Sequence, residues 1–261
     1  MQALYSAATG MFAQERNVEV ISNNIANMRT TGYKRQRAEF QDLLYMNLRR
    51  VGSASSDSGT IVPTGVQIGS GVRLVATSRI MSQGSVLNTD KELDVAIRGE
   101  GFFQIEMPDG RTGYTRDGSF AANATGQLVT ADGYLLVPNI TIPDNAEGIT
   151  ITTQGQVEVR IGTATAPTVL GQINLAKFRN KAGLEAIGEN LFAETSASGS
   201  AQTGTPQSTG FGSLLQKHLE QANVNSVGEI ANLISAQRAY EMNSRVIRAA
   251  DEMLSSTAQL R

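Results

Sequence analysis

Cysteine and tryptophan are both absent from these 261 residues, and histidine occurs once. The first absence removes disulfides, thiolate metal sites and cysteine nucleophiles together. Aromatic content is only 5%, which is thin for a sugar-cleaving cleft built on ring platforms. A basic surplus is missing too: 22 Lys and Arg against 24 Asp and Glu leave a net charge of −2. General nucleic-acid binding, which needs phosphate neutralisation, is therefore not expected. The one basic run, Lys34-Arg35-Gln36-Arg37 with Arg49-Arg50 beyond it, is flanked by Glu39 and Asp42 and reads as a solvated or ion-paired face. No apolar stretch approaches the ~20 residues needed to span a bilayer. The first thirty residues are interrupted by Gln14, Glu15, Arg16 and Glu19, so no secretory h-region is visible. The chain is expected not to be membrane-embedded and to carry no cleaved signal peptide.

A catalytic constellation is also missing. His218 lies beside Lys217 and Glu220 and is expected to be an exposed residue at the start of a C-terminal helical segment, not a base. Gly69-Ser-Gly71 and Gly99-Glu-Gly101 look like dinucleotide loops, but Leu74 and Gln104 stand where the third glycine belongs, and strands follow instead of helices. Asp90, Glu92 and Asp94, like Glu100, Glu106 and Asp109, lack the calcium-loop pattern; their spacing allows a glycosidase-like carboxylate pair, but without aromatic platforms they read more simply as solubilising residues at strand edges. The expectation is a non-enzyme without cofactor or metal.

What is present is periodic. Leu4, Met11, Val18 and Ile25 recur every seven residues, with Ala7, Ile21 and Met28 on a companion row, giving an N-terminal helix with one apolar side. Leu233, Tyr240, Ile247 and Leu254 form a C-terminal row, and Ala239, Val246, Met253 and Leu260 a second row beside it. Two rows make a face wide enough for more than one neighbour. Ser226 and Glu229 have the S-x-x-E spacing of a capping box, so the C-terminal helix is expected to begin near Ser226. The N-terminal helix is expected to stop at Thr30-Thr31-Gly32, with Gly32 in the left-handed cap. Gly10 inside that helix costs roughly 1 kcal/mol against alanine, which close approach of another backbone or a local kink would explain.

Between the helices the pattern changes to short β-branched runs, from about Gln67 to Phe178. Asp109-Gly110, Asp117-Gly118, Thr125-Gly126 and Asp132-Gly133 suggest tight hairpin turns. Strands are expected at 95–97, 102–105, 127–129, 134–137 and 149–151, in an antiparallel meander or small barrel. The Gly52–Thr60 and Ser196–Gly210 stretches, rich in small polar residues, read as loops or linkers; the first alternatively folds as an extended arm. The fold expected is α+β: terminal helices that pair as a coiled coil, with an antiparallel β domain inserted. The expected divisions are 1–45 and 214–261 as the helical halves, 46–66 as linker or stiffening arm, 67–195 as the β domain and 196–213 as a second linker.

The segment SAATGMFAQERNVEVISNNIANMRTTGYKRQRAEFQDL, centred on Asn23-Asn24-Ile25-Ala26-Asn27, resembles the N-terminal signature of bacterial flagellar rod and hook proteins. QANVNSVGEIANLISAQRAYEMNSRVIRAADEMLSSTAQL is similar to their C-terminal signature, and ELDVAIRGEGFFQIEMPDGRTGYTRDGSFAANATGQLVTADGYLLV resembles their shared β domain. Within the family, overall length, GVQIGSGVR and Gly188-Glu189-Asn190-Leu191 look most like the distal-rod branch. Proximal rod and hook-type axial proteins are the near alternatives, a surface adhesin the distant one.

The resemblance implies a structural subunit whose terminal helices line a straight hollow tube, with the β domain outside, transmitting torque from motor to hook. Implied partners are further copies of the chain, the proximal rod and hook proteins, the surrounding P-ring and L-ring proteins and the flagellar export apparatus. The location implied is the periplasm-spanning rod of the basal body. Its site residues would be interface residues: Leu4, Met11, Val18, Ile21, Ile25, Leu233, Tyr240, Val246, Ile247, Met253 and Leu254 at helix contacts. Asn23, Asn24 and Asn27 would hydrogen-bond across helices or cap the turn.

Overall fold

The computed structural model describes residues 2–52, 64–162 and 166–259. The chain is α+β, and it divides into two compact units, Met1–Ile25, Gln36–Ser78 and Asn225–Arg261 in the first, Ala26–Arg35 and Arg79–Val224 in the second.

The first unit contains both long helices, α1 (Gln2–Ala26) and α2 (Ser226–Gln259). At 1.5 Å per residue α2 is on the order of 50 Å long. It starts where the sequence suggests, but its side-chain cap comes one residue earlier: the Gly228 N–H donates to Asn225 Oδ1 at 3.3 Å. Asn225 holds this place because a short amide side chain satisfies a helix donor that has no partner within the helix. α1 ends sooner than expected. Asn27 draws the chain out of the helix, its carbonyl accepting from the Thr30 N–H and its Oδ1 from the Thr30 hydroxyl, both at 3.1 Å, a local alternative to helical bonding. Strand β1 (Gln36–Asp42) pairs with β4 (Val72–Arg79), and β2 (Tyr45–Arg49) pairs antiparallel with β3 (Val66–Gly69). Positions 53–63 of the serine-rich stretch, most of the expected linker or arm, and Leu260 lie outside the described residues.

The second unit is built on a seven-stranded antiparallel sheet, in the order β16 (Glu185–Gly188), β17 (Leu191–Ala193), β8 (Thr112–Thr115), β7 (Phe103–Glu106), β11 (Leu135–Val137), β10 (Leu128–Val129), β9 (Ala121–Ala122). Three of the four glycine turns join strands of this sheet: Gly110, Gly126 and Gly133 all have positive φ. Asp117-Gly118 does not make a hairpin. The Gly118 carbonyl accepts from the Val95 N–H at 3.0 Å, and a Cβ at Gly118 would fall 1.7 Å from the Val95 carbonyl oxygen. This glycine is there to let a neighbouring strand approach.

A three-stranded sheet of β12 (Ala146–Ile151), β13 (Gln156–Ile161) and β14 (Thr168–Gln172) is not hydrogen-bonded to the large one but shares its core through Ile151, Val157 and Val159. Three strand pairs complete the unit: β5 (Val86–Asn88) with β20 (His218–Glu220), β6 (Val95–Arg98) with β19 (Ser213–Gln216), and β15 (Leu175–Lys177) with β18 (Gln202–Gly204). Two sequence expectations are corrected by these pairs. The Ser196–Gly210 stretch carries strand β18, with Ser198 buried, and His218 lies on a strand opposite Asn88, not on a helix.

Phe102 and Phe103 show how alternation builds the interior. Phe103 points into the main core with Ile97, Ile105, Leu136, Val157 and Leu175, while Phe102 joins a second cluster of Tyr114, Phe178, Leu184 and Phe192. Tyr114 and Phe178 meet edge to face with centroids 4.7 Å apart, the geometry aromatic quadrupoles favour. The few aromatic residues are therefore spent largely inside the β region.

Candidate assembly interface

In the first unit, α1 and α2 touch through residues that are small or polar. The Asn24 amide donates to Glu229 Oε2 at 3.1 Å, both residues being almost fully buried. The same amide closes a pair with β1: Asn24 Nδ2 donates to the Gln36 carbonyl at 2.8 Å, and the Gln36 N–H donates to Asn24 Oδ1 at 2.9 Å. At Gly10 a Cβ would lie 2.8 Å from Asn243 Nδ2, so the glycine makes room for a side chain of α2 rather than for another backbone. Between Gly10 and Asn24, and between Asn243 and Glu229, run two heptads each, in opposite directions. The contacting row on α2 is thus Glu229, Ala236, Asn243 and Ala250, of which Glu229, Ala236 and Ala250 are buried. On α1 the contacts come from Gly10 and Asn24, with the half-buried Asn17 between them on the same spacing. The N-terminal part of α1 also meets β4, where Thr9 Oγ1 accepts from the Val72 N–H at 3.3 Å and donates to the Ser6 carbonyl at 2.9 Å.

The expected interface residues fall into three groups by exposure. Ile21 and Asn24 are buried; Leu4, Met11, Val18, Ile25, Asn27, Leu233 and Ile247 are half-buried; Asn23, Tyr240, Val246, Met253 and Leu254 are exposed. Further large apolar side chains stand in solvent on the same helices. Tyr5 is 58% and Phe12 68% exposed on α1, one heptad apart, and Val227, Ile230, Ile234 and Met242 are exposed on α2. Sequence reasoning passed over the row through Ala236, Asn243 and Ala250 because nothing in it is large and apolar. Its signal was the seven-residue recurrence of small side chains.

In the second unit, a buried ion cluster ties three pieces of chain together. Glu220, at the end of β20, receives Lys34 Nζ at 2.6 Å and Arg116 Nε at 3.0 Å, with side-chain exposures of 0%, 1% and 5% for the three. Lys34 Nζ also donates to the Ser82 carbonyl at 2.9 Å, and Arg116 Nη1 to the carbonyls of Gly99 and Gly101 at 2.8 and 2.7 Å. Burial pulls the Lys34 ammonium below its ordinary pKa, with Glu220 the main opposing influence, and burial lowers the Arg116 guanidinium in the same way. Asn223 adds a neutral bridge: its Oδ1 accepts from the Arg35 N–H at 2.7 Å, and its Nδ2 donates to the Ile80 carbonyl at 2.7 Å. Gly32 completes the arrangement at φ +69, its N–H donating to the Glu220 carbonyl at 2.8 Å. There is no room for a side chain at this glycine, since a Cβ would sit 2.7 Å from the Asp117 nitrogen.

Comparison with known proteins matches three stretches of the chain. Residues 4–34 match the family described as flagella basal body rod protein, 96–159 the flagellar hook protein FlgE/F/G D1 domain, and 215–260 the flagellar basal body rod FlgEFG protein C-terminal. Over its whole length the chain is 58% identical to the flagellar basal-body rod protein FlgG of Caulobacter vibrioides, covering 100% of both chains. The chain belongs to the FlgG family of flagellar basal-body rod proteins.

FlgG of Agrobacterium fabrum is 54% identical over 98% of this chain and 97% of its own, and FlgG of Bacillus subtilis 35% identical over 100% and 99%. The chain is accordingly a structural subunit of the basal-body rod, as the terminal signatures implied. The two terminal matches contain nearly all of α1 and the whole of α2, so the Asn24–Glu229 contact joins one matched segment to the other. Among the described residues, no helix is long and apolar enough to cross a membrane.

Proposed function

We propose that this chain builds the distal segment of the rod, polymerising through α1 and α2 into a straight hollow helical tube that carries torque from motor to hook. The observation that carries this reading is the distribution of apolar side chains on the two helices. Small and polar residues occupy the row where α1 and α2 meet, while Tyr5, Phe12, Val227, Ile230, Met242, Val246 and Met253 stay in solvent. Exposed apolar residues in such number along one element mark an interaction surface. A surface met by a different surface on the next copy makes a heterologous contact, and repetition without closure produces a helical filament.

In this reading Leu4, Met11, Val18, Ile21, Ile25, Leu233 and Ile247 close the helix pair as a coiled coil. Tyr240, Val246, Met253 and Leu254 face neighbouring copies, and Asn23 and Asn27 hydrogen-bond at the tube surface. Residues 1–45 and 214–261 supply the tube wall, and 46–66 the stiffening arm. The proximal rod and hook proteins adjoin the two ends of the segment, the P-ring and L-ring proteins surround it in the periplasm, and the flagellar export apparatus delivers the subunit.

Hydrogen exchange on dilute and on assembled protein tests the proposal. Amides in 2–26 and 226–259 should gain protection on assembly while the interior of the seven-stranded sheet stays unchanged. Equal protection of the helices in both states would overturn it.

A further inference from the structure

One cavity of the second unit is walled by buried cations. It measures about 100 Å³, and Lys34, Glu100, Phe102, Arg116 and Lys181 are among the residues that line it. That volume is several times the ~10–15 Å³ that admits one water, so it takes a group of a few heavy atoms. Lys34 and Arg116 are 1% and 5% exposed. Lys181 and Glu100 form an ion pair at the rim, with side chains 29% and 56% exposed.

Arg116 has hydrogens to spare. Its Nε faces Glu220 at 3.0 Å, and its Nη1 donates to the Gly99 and Gly101 carbonyls. Its Nη2 donates to no group among the described residues, yet it is not one of the unpartnered side-chain atoms that the fold closes off from solvent. The two hydrogens of Nη2 therefore open on the cavity that this side chain lines. Lys34 Nζ carries three hydrogens and meets two acceptors among the described residues, the Ser82 carbonyl and the Glu220 carboxylate. Charge adds to this. Lys34, Arg116 and Lys181 bring three positive charges, against two negative ones from Glu220, which pairs with the first two, and from Glu100. One positive charge is left over where burial makes an uncompensated charge costly.

We propose that this cavity binds one carboxylate group, held by Arg116 Nη2 and Lys34 Nζ and entering past Lys181. Guanidinium nitrogens match the oxygens of a carboxylate in shape and charge. Its single negative charge balances the cavity, whereas a phosphate dianion overshoots. Such a group arrives either on a free small acid or on an acidic side chain of a neighbouring copy. The site lies wholly within the second unit and is independent of how the terminal helices assemble.

Acetate is the probe, added to dilute full-length protein at an ionic strength held constant with sodium chloride. Saturation transfer to its methyl NMR signal should reveal saturable binding. Lys181→Met removes a rim cation while keeping the Lys34, Arg116 and Glu220 cluster whole, and should weaken that binding roughly threefold. Glu100→Gln removes the carboxylate that competes for the same cations, and should tighten it roughly threefold. Arg111→Met and Asp109→Asn, which break an exposed ion pair elsewhere, should change nothing. Absence of saturable transfer in both the unaltered chain and Glu100→Gln, or equal shifts from the Arg111 and Asp109 variants, would overturn the site. The same titration on assembled protein separates the two sources: binding that persists assigns the cavity to a free acid, and binding that is lost assigns it to a side chain of the next copy.

Discussion

Replacing Glu220 by glutamine isolates the charge at the centre of the second unit while keeping its shape. The carboxylate is fully buried between Lys34 at 2.6 Å and Arg116 at 3.0 Å. With glutamine there, two buried cations remain with no carboxylate between them, facing the carbonyls of Ser82, Gly99 and Gly101 and the more distant charge of Glu100. Breaking a buried pair in this way costs about 3–5 kcal/mol. With a urea m-value of ~3 kcal/mol/M, the unfolding midpoint of the β region should fall by about 1–1.7 M. The loss should also depend on pH, in a direction the structure fixes. Burial already holds Lys34 below its ordinary pKa, so this lysine binds fewer protons folded than unfolded. Its contribution to stability therefore rises as pH climbs from the folded value towards ~10.4, the unfolded one. Without Glu220 the chief influence opposing that depression is gone, the window opens at lower pH, and the penalty of the variant shrinks between pH 7 and 10 as Lys34 sheds its proton. Urea titrations of both proteins at the two pH values measure this. A midpoint shift under about 0.3 M, or an equal penalty at both pH values, would refute the reasoning.

Three other variants have defined outcomes. Ile247→Asp places a charge on a half-buried position of α2 and should cost the helix pair about 2–4 kcal/mol; cells should lose motility while the purified β region keeps its urea midpoint, and normal motility would count against the tube. Val246→Asp with Met253→Asp alters exposed side chains, so the dilute subunit should change stability by no more than about 0.5 kcal/mol, yet sedimentation should show no filaments. Gly118→Ala drives a β-carbon towards the Val95 carbonyl and should destabilise the sheet by about 3 kcal/mol, seen as a lower Tm with helix content preserved.

Heptads and glycine turns were the legible part of the sequence, because both are local signals. Leu233 and Ile247 mark a helix face wherever the partner lies, and Asp109-Gly110 or Asp132-Gly133 need only their own backbone to turn. The contacting row of α2 was harder to see, since Ala236, Asn243 and Ala250 acquire meaning only when Gly10 and Asn24 are opposite them. Glu229 reads locally as part of a capping box, yet the side-chain cap seen is Asn225, and the Glu229 carboxylate meets α1. The stretch from Ser196 to Gly210 looks like linker because small polar residues have little β preference of their own; pairing with β15 supplies what propensity does not. The ion cluster joins positions 34, 116 and 220, a separation at which no spacing rule operates.

The second unit is held at its chain crossings by mutual bonds. Arg35, Ile80 and Asn223, each next to a point where the backbone leaves or rejoins the unit, are hydrogen-bonded to one another, and Lys34 and Glu220 are joined just behind them. A pull on any one of these strands is shared at once by the others, so the sheet is not peeled open strand by strand from its ends. In a rod subunit, a load arriving through one crossing is therefore spread over the others instead of concentrating at an edge of the sheet.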